Sequence, residues 1–194
     1  MGRIDLVKRV FKLYFDFEKE EIWLNEMAQQ GWMMKSFFMG FYQFVQEIPG
    51  EYIYRIEMLP HIVRSPKNQP YLHFLQDLDV EIMSAWLVWV FYRRKAVNGP
   101  FDVYSDMDLR IKHYKRISRF LLPLGLIELL IAIYQGYLLF TDLINSNNEI
   151  AVLPTVFVLL FASFFAFVIL NTARRSRKKS RRLIKEKQLH ETLR

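Results

Sequence analysis

FLLPLGLIELLIAIYQGYLLF (Phe120–Phe140) and IAVLPTVFVLLFASFFAFVIL (Ile150–Leu170), joined by TDLINSNNE (141–149), decide how the chain is organised. Each run holds 21 residues, which as a helix at about 1.5 Å per residue spans roughly 31 Å, the thickness of a bilayer's hydrocarbon core. The first run carries one formal charge, Glu128, and the second none. A transmembrane helical hairpin is the reading, with spans at 120–140 and 150–170 and an external loop at 141–149. The flanks orient it. Arg110, Lys112, Lys115, Arg116 and Arg119 precede the first span; Arg174, Arg175, Arg177, Lys178, Lys179, Arg181 and Arg182 follow the second; the loop offers only Asp142 and Glu149. Short Lys/Arg-rich flanks stay in the cytoplasm, so both termini are expected inside and the chain at the cell membrane.

The formal charge of +7 on 194 residues dissolves when it is partitioned. Residues 172–194 hold ten Lys or Arg against Glu186 and Glu191, a net of +8, which leaves −1 for everything before them. Basicity belongs to the tail at 171–194, where it serves topology and anionic headgroups of the inner leaflet, and no nucleic-acid binding is expected. The absence of cysteine excludes disulfides and thiolate chemistry. The N-terminal MGRIDLVKRVFKLYFDFEKE has no apolar leader core, so no signal peptide is expected.

Ahead of the hairpin the period of the apolar residues marks the elements. Val10 to Phe15 is β-prone, an edge strand or a lead-in. Asp16 stands at an N-cap, glutamates 18, 20 and 21 fill the first turn, Ile22, Trp23, Met27 and Ala28 repeat at helical spacing, and Gly31 marks the stop; a helix over 17–30 follows. From Trp32 the period is two through Phe38, Gly40 breaks it, Phe41 to Gln46 continues, and after Pro49-Gly50 a third strand runs over 51–58. Residues 1–59 thus form one αβββ unit with its lead-in, and the proline-rich 60–69 is a linker. A second unit over 70–105 repeats the order: a short helix from Tyr71, strands at 80–86, 87–93 and 101–104. Leu24 aligns with Leu72, Met27 with Leu75, Met34 with Ile82, Ser36 with Ser84 and Phe38 with Trp86, the pattern of a diverged duplication. A juxtamembrane helix at 106–119, capped by Ser105 or Asp106, leads into the first span, where Pro123 is expected to kink or restart it. The fold class is α+β: a duplicated αβββ domain with antiparallel sheet, then a two-helix hairpin and a basic tail.

The stretches FDFEKEEIWLNEMAQQGW (15–32), EIPGEYIYRIEML (47–59) and FDVYSDMDLRIKHYKRI (101–117) ahead of two spans resemble an uncharacterised membrane-protein family, a domain of unknown function, of low-GC Gram-positive bacteria. Its members are often encoded beside PadR-type transcriptional regulators, which implies a membrane-linked regulatory role and supplies no catalytic residue. The second unit departs from that pattern, with Leu78-Asp79-Val80 where a Gly-Trp pair is expected.

No enzyme constellation is present. His61, His73, His113 and His190 show no metal-ligand spacing, and phosphate loops and nucleophile elbows are missing, so catalysis, cofactors and metals are not expected. Glu128 is costly in hydrocarbon and must be protonated, paired or turned inward. Gln135 lies two turns along on its face, and the small pairs Ala132/Gly136 and Ala162/Ala166 suit close helix packing. Glu128 is either a proton- or ligand-sensitive switch or an interhelical hydrogen bond. The second candidate is the sheet, whose two alternation classes are both apolar. Trp32, Phe38, Phe41, Phe44, Trp86, Trp89 and Tyr92 form its aromatic surface, to be covered by an apolar ligand, a partner protein, a second copy or a membrane-facing helix, or within one folded core. The function expected is a membrane-anchored, cytosol-facing regulatory or sensing module. The alternative is an accessory subunit of a transporter or envelope-stress complex that makes its contacts through the spans.

Overall fold

A computed structural model describes residues 6–101, 107–145 and 149–192. The chain divides at Ser105 into two units, Met1–Ser105 and Asp106–Arg194.

In the first unit Val7–Phe11 (β1) pairs antiparallel with Phe41–Gln46 (β3), which also pairs with Trp32–Phe38 (β2), giving the sheet order β1-β3-β2. Between β1 and β2 lies helix α1, Phe17–Gln29, begun by Asp16, whose carboxylate accepts from the Glu18 N–H at 3.2 Å. A second sheet has the same plan. Tyr52–Met58 (β4) and Glu81–Trp86 (β5) flank Trp89–Lys95 (β6), with helix α2, Gln69–Asp77, between β4 and β5. The duplication is therefore shifted by one strand from the expected αβββ: the unit is βαββ. Strand 52–58 opens the second copy instead of closing the first, because its ladder partner is β6. The residues expected to form a last strand, 101–104, fall outside the described residues except for Phe101, which is buried without strand structure.

Local geometry repeats along with topology. Each first strand ends on the same bond, Lys12 N–H to the Gly40 carbonyl at 2.8 Å and Leu59 N–H to the Val88 carbonyl at 2.7 Å. Each second strand shifts register at one place, Met34/Ser36 and Ile82/Ser84. Each helix ends in a left-handed residue, Gly31 at φ 84° and Asp79 at φ 60°. Asp is among the few side chains tolerated there, which is how the second copy keeps the stop without a glycine.

The two sheets are separate, and α1 serves both. Trp23 stands edge-on to Tyr42 and Phe44 of the first sheet, at 4.8 and 5.5 Å between ring centres, while Phe17 meets Trp89 of the second at 5.8 Å. Leu24, Met27 and Ala28 complete a core with Met33, Met34, Tyr54, Ile56 and Phe91. A second core sits under α2, where Leu72 and Leu75 pack with Val80, Val90 and Tyr92.

The second unit is two long helices, α3 (Met107–Asn145) and α4 (Glu149–Thr192). Both are long and apolar enough to cross a membrane, and only 22% and 11% of their most apolar stretches are buried. α3 runs through Pro123 as one helix. The expected cap at Ser105 or Asp106 lies outside the described residues, as do 146–148 of the expected loop. The tail is not a separate segment: α4 continues through it, with Ala173, Ser176 and Ser180 buried and Lys187 paired with Asp108 at 2.6 Å.

Candidate interaction surface

An antiparallel ladder sends alternate residues to opposite faces and alternate backbone groups to opposite edges. In the second sheet both are used. The even residues of β4 turn their N–H and C=O away from β6, and α1 meets them. The Asn25 amide accepts from the Tyr54 N–H at 2.8 Å and donates to the Tyr54 carbonyl at 3.0 Å, while Glu21 accepts from the Ile56 N–H at 2.9 Å. Tyr54, Ile56 and Met58 on the same strand, with Phe91 beside them, are 1–3% exposed.

The equivalent face of the first sheet has no such cover. Registering the two copies places Val7, Arg9 and Phe11 where Tyr54, Ile56 and Met58 stand, and Phe41 where Trp89 stands. Val7, Phe11, Phe38 and Phe41 are 48%, 59%, 64% and 62% exposed, and Met39 and Leu13 at the same end are 54% and 57% exposed. Phe11 and Phe41 touch, with ring centres 4.7 Å apart, and Phe38 pairs with Phe41 in the ladder. Only two residues join β2 to β3, so the turn takes left-handed backbone, Met39 at φ 45° and Gly40 at φ 85°, and carries the aromatic rings on its shoulders. Gly40 is needed for its φ of 85°, and a Cβ there would also crowd the Lys12 carbonyl oxygen at 3.1 Å.

Of the aromatic residues expected to form a surface, Phe38 and Phe41 do, and Trp86 is 38% exposed in the other sheet. Phe44 and Tyr92 cannot: both are fully buried, Phe44 against Trp23 and Tyr92 beside Glu57, toward which its hydroxyl donates at 3.4 Å. Trp32 and Trp89 are half-buried, the first with the Lys8 ammonium 5.3 Å from its ring and the second against Phe17. The seven do not make one surface because the two alternation classes of the second sheet are consumed by two different helices. Phe11, Leu13 and Met39 were missed, although the β-prone lead-in was a signal for the first.

A cleft of about 660 Å³ lies beside α2 and β5, lined among others by Gln76, Asp79, Glu81, Lys95 and Asn98. Its polar walls do not suit an apolar ligand. Among the described residues no cluster of metal-ligating side chains occurs. In the core Glu20 is 8% exposed and accepts from the Tyr42 hydroxyl at 2.5 Å; burial lifts its carboxyl to about 7 against the opposing pull of that bond. His113 is buried near the start of α3, where desolvation and Arg116 hold it neutral.

In the second unit Glu128 and Gln135 are half-buried on the stripe of α3 that includes buried Ala132. Ala162 and Ala166 are buried on α4, so these small residues serve the hairpin's own seam; Gly136 is half-buried and a Cβ there would meet only Leu159, at 3.9 Å. At Gly125 a Cβ would lie 2.8 Å from the Leu170 side chain. Arg174, Arg175, Arg177, Lys178, Arg181 and Arg182 are exposed, and Lys179 is half-buried with its ammonium 5.6 Å from the Tyr114 ring.

No curated relative and no solved structure matches the chain. One family model does, a protein of unknown function (DUF2812), over residues 16–126. That match covers α1, every strand but β1 and the start of α3, which is more than half of the 194 residues, and the chain belongs to this family.

Proposed function

We propose that the chain is a membrane-anchored regulatory module whose α3–α4 hairpin crosses the bilayer twice, with both ends in the cytoplasm, and whose exposed first-sheet face receives an apolar counter-surface. The observation that carries this is the unequal treatment of two equivalent faces, one sealed by α1 and the other left with Val7, Phe11, Phe38 and Phe41 in water. Such a patch is open to solvent, which favours a partner surface over an enclosed ligand. The distribution of Lys and Arg around the spans supports the orientation. The resemblance to membrane proteins encoded beside PadR-type regulators supports a regulatory role. Burial of Ala132, Ala162 and Ala166 within the hairpin lends less support to the alternative, an accessory subunit contacting a larger membrane protein through these residues and Gly136.

Because the chain has no cysteine, a single one reports on one place. In native membrane vesicles, Val97→Cys, at a residue 84% exposed, should react with an impermeant maleimide only when the cytoplasmic side faces out. Met39→Cys should react slowly in those same vesicles and fast after detergent solubilisation. Equal reactivity of the two cysteines in intact inside-out vesicles would remove the contact surface, and reaction of Val97→Cys from the external side would remove the topology.

A further inference from the structure

We propose that the counter-surface is the anionic bilayer itself, into which the β2–β3 turn dips. This rests on the reading of the first-sheet face as a contact surface and names its partner. The first observation is the shape of the apolar patch. Phe11, Phe38, Met39, Phe41 and Leu13 are gathered at one end of the sheet, on and around a two-residue turn, with Val7 alone at the other end of β1. A projecting apolar tip of this kind enters the boundary between headgroups and acyl chains, where aromatic rings are favoured.

Charge supplies the second observation. Residues 6–15 and 32–46, which contain all three strands of this sheet, include Lys8, Arg9, Lys12 and Lys35 and not one Asp or Glu. All four cations are exposed; Arg9 shares the face of Phe11 and Phe41, while Lys8 and Lys12 alternate to the other side of β1, their ammoniums against the rings of Trp32 and of Tyr14 and Trp23. The helix behind the sheet is the opposite: residues 16–30 contain Asp16, Glu18, Glu20, Glu21 and Glu26 against Lys19 alone. The acidic side is turned away and the acid-free side carries the aromatic tip, which is the polarity an anionic leaflet selects. A protein partner of ordinary composition makes no such demand for a surface without a single carboxylate.

The third observation is covalent. The tip belongs to a chain whose α3 begins at Met107 and is long and apolar enough to cross a membrane. Tethering turns a weak insertion into an intramolecular event, so a small patch suffices where a free domain would need a second anchor.

The test uses the full chain with Met39→Cys carrying an environment-sensitive fluorophore, reconstituted alone into nanodiscs of phosphatidylcholine with or without phosphatidylglycerol. With phosphatidylglycerol the label should shift to the blue and be quenched by aqueous iodide at least about threefold less than the same label at Val97→Cys. Arg9→Glu with Lys35→Glu, both exposed positions, should restore quenching while the circular dichroism is unchanged. A label that stays fully quenched in both lipids overturns the proposal. If that same label is shielded in native vesicles, a protein occupies the face, and the proposed contact surface stands without the bilayer as its partner. Shielding that is insensitive to phosphatidylglycerol but grows with the number of chains per disc would assign the face to a second copy and likewise overturn it.

Discussion

Glu20 shows how one residue sets a pH dependence. Its carboxyl is raised from 4.5 to about 7 because burial outweighs the Tyr42 hydrogen bond. The folded state prefers the neutral acid, so the contribution of this carboxyl to stability is greatest at and below pH 4.5, falls as the unfolded chain ionises between 4.5 and about 7, and is flat above that. The loss over that window is about 3 kcal/mol. Glu20→Gln should remove this fall, leaving the opposite rise that His113, held neutral in the fold, contributes below its ordinary 6.5, and should raise the thermal midpoint at pH 8, measured on the full chain in detergent across pH 5 to 8; an unchanged pH profile would place the titration elsewhere. Residue-scale legibility was uneven. Gly31 announces a helix stop in any sequence, whereas Asp79 performs the same turn at φ 60° and reads as an ordinary polar residue. Glu20 looked like one more first-turn glutamate, because nothing local reveals that its side of α1 would meet Tyr42.

Among the elements, α1 is the one on which both sheets depend. Its Asn25 closes two backbone groups of Tyr54, the work a further strand would otherwise do at a sheet edge. Asn25→Leu keeps the volume and strands both groups, so it should destabilise the chain by about 2 kcal/mol. Denaturant midpoints of the detergent-solubilised protein would check this, and a change within about 0.5 kcal/mol would mean that water replaces the amide. The helix and the strands at 32–38, 41–46 and 52–58 were legible from their periods. Strand partners were not, because alternation tells which side chains share a face and says nothing about which neighbour completes the ladder. That is why β4 was placed with the first copy although it pairs with β6.

For the whole molecule, the exposure of apolar residues along the two long helices is the informative quantity. Leu130, Phe157, Phe161 and Phe167 are each more than half exposed, an arrangement that water does not tolerate along the length of two helices. Alkaline carbonate extraction should therefore leave the chain in the membrane pellet; recovery in the supernatant would contradict the two spans. The hairpin was the most legible feature of the sequence, since two 21-residue runs with a single formal charge between them need no partner to declare themselves. The exposed face was the least. Phe11, Phe38 and Phe41 have the composition of core residues, and only the comparison between the two βαββ copies shows that one face is sealed and the other is open.

The Lys187–Asp108 pair gives the hairpin a mechanical property. It ties the first residues of α3 to the far part of α4, and both helices run unbroken from that clasp into their apolar stretches. That ion pair fixes the axial register of the two helices beyond their apolar stretches, so a slide of one helix along the other would have to break it.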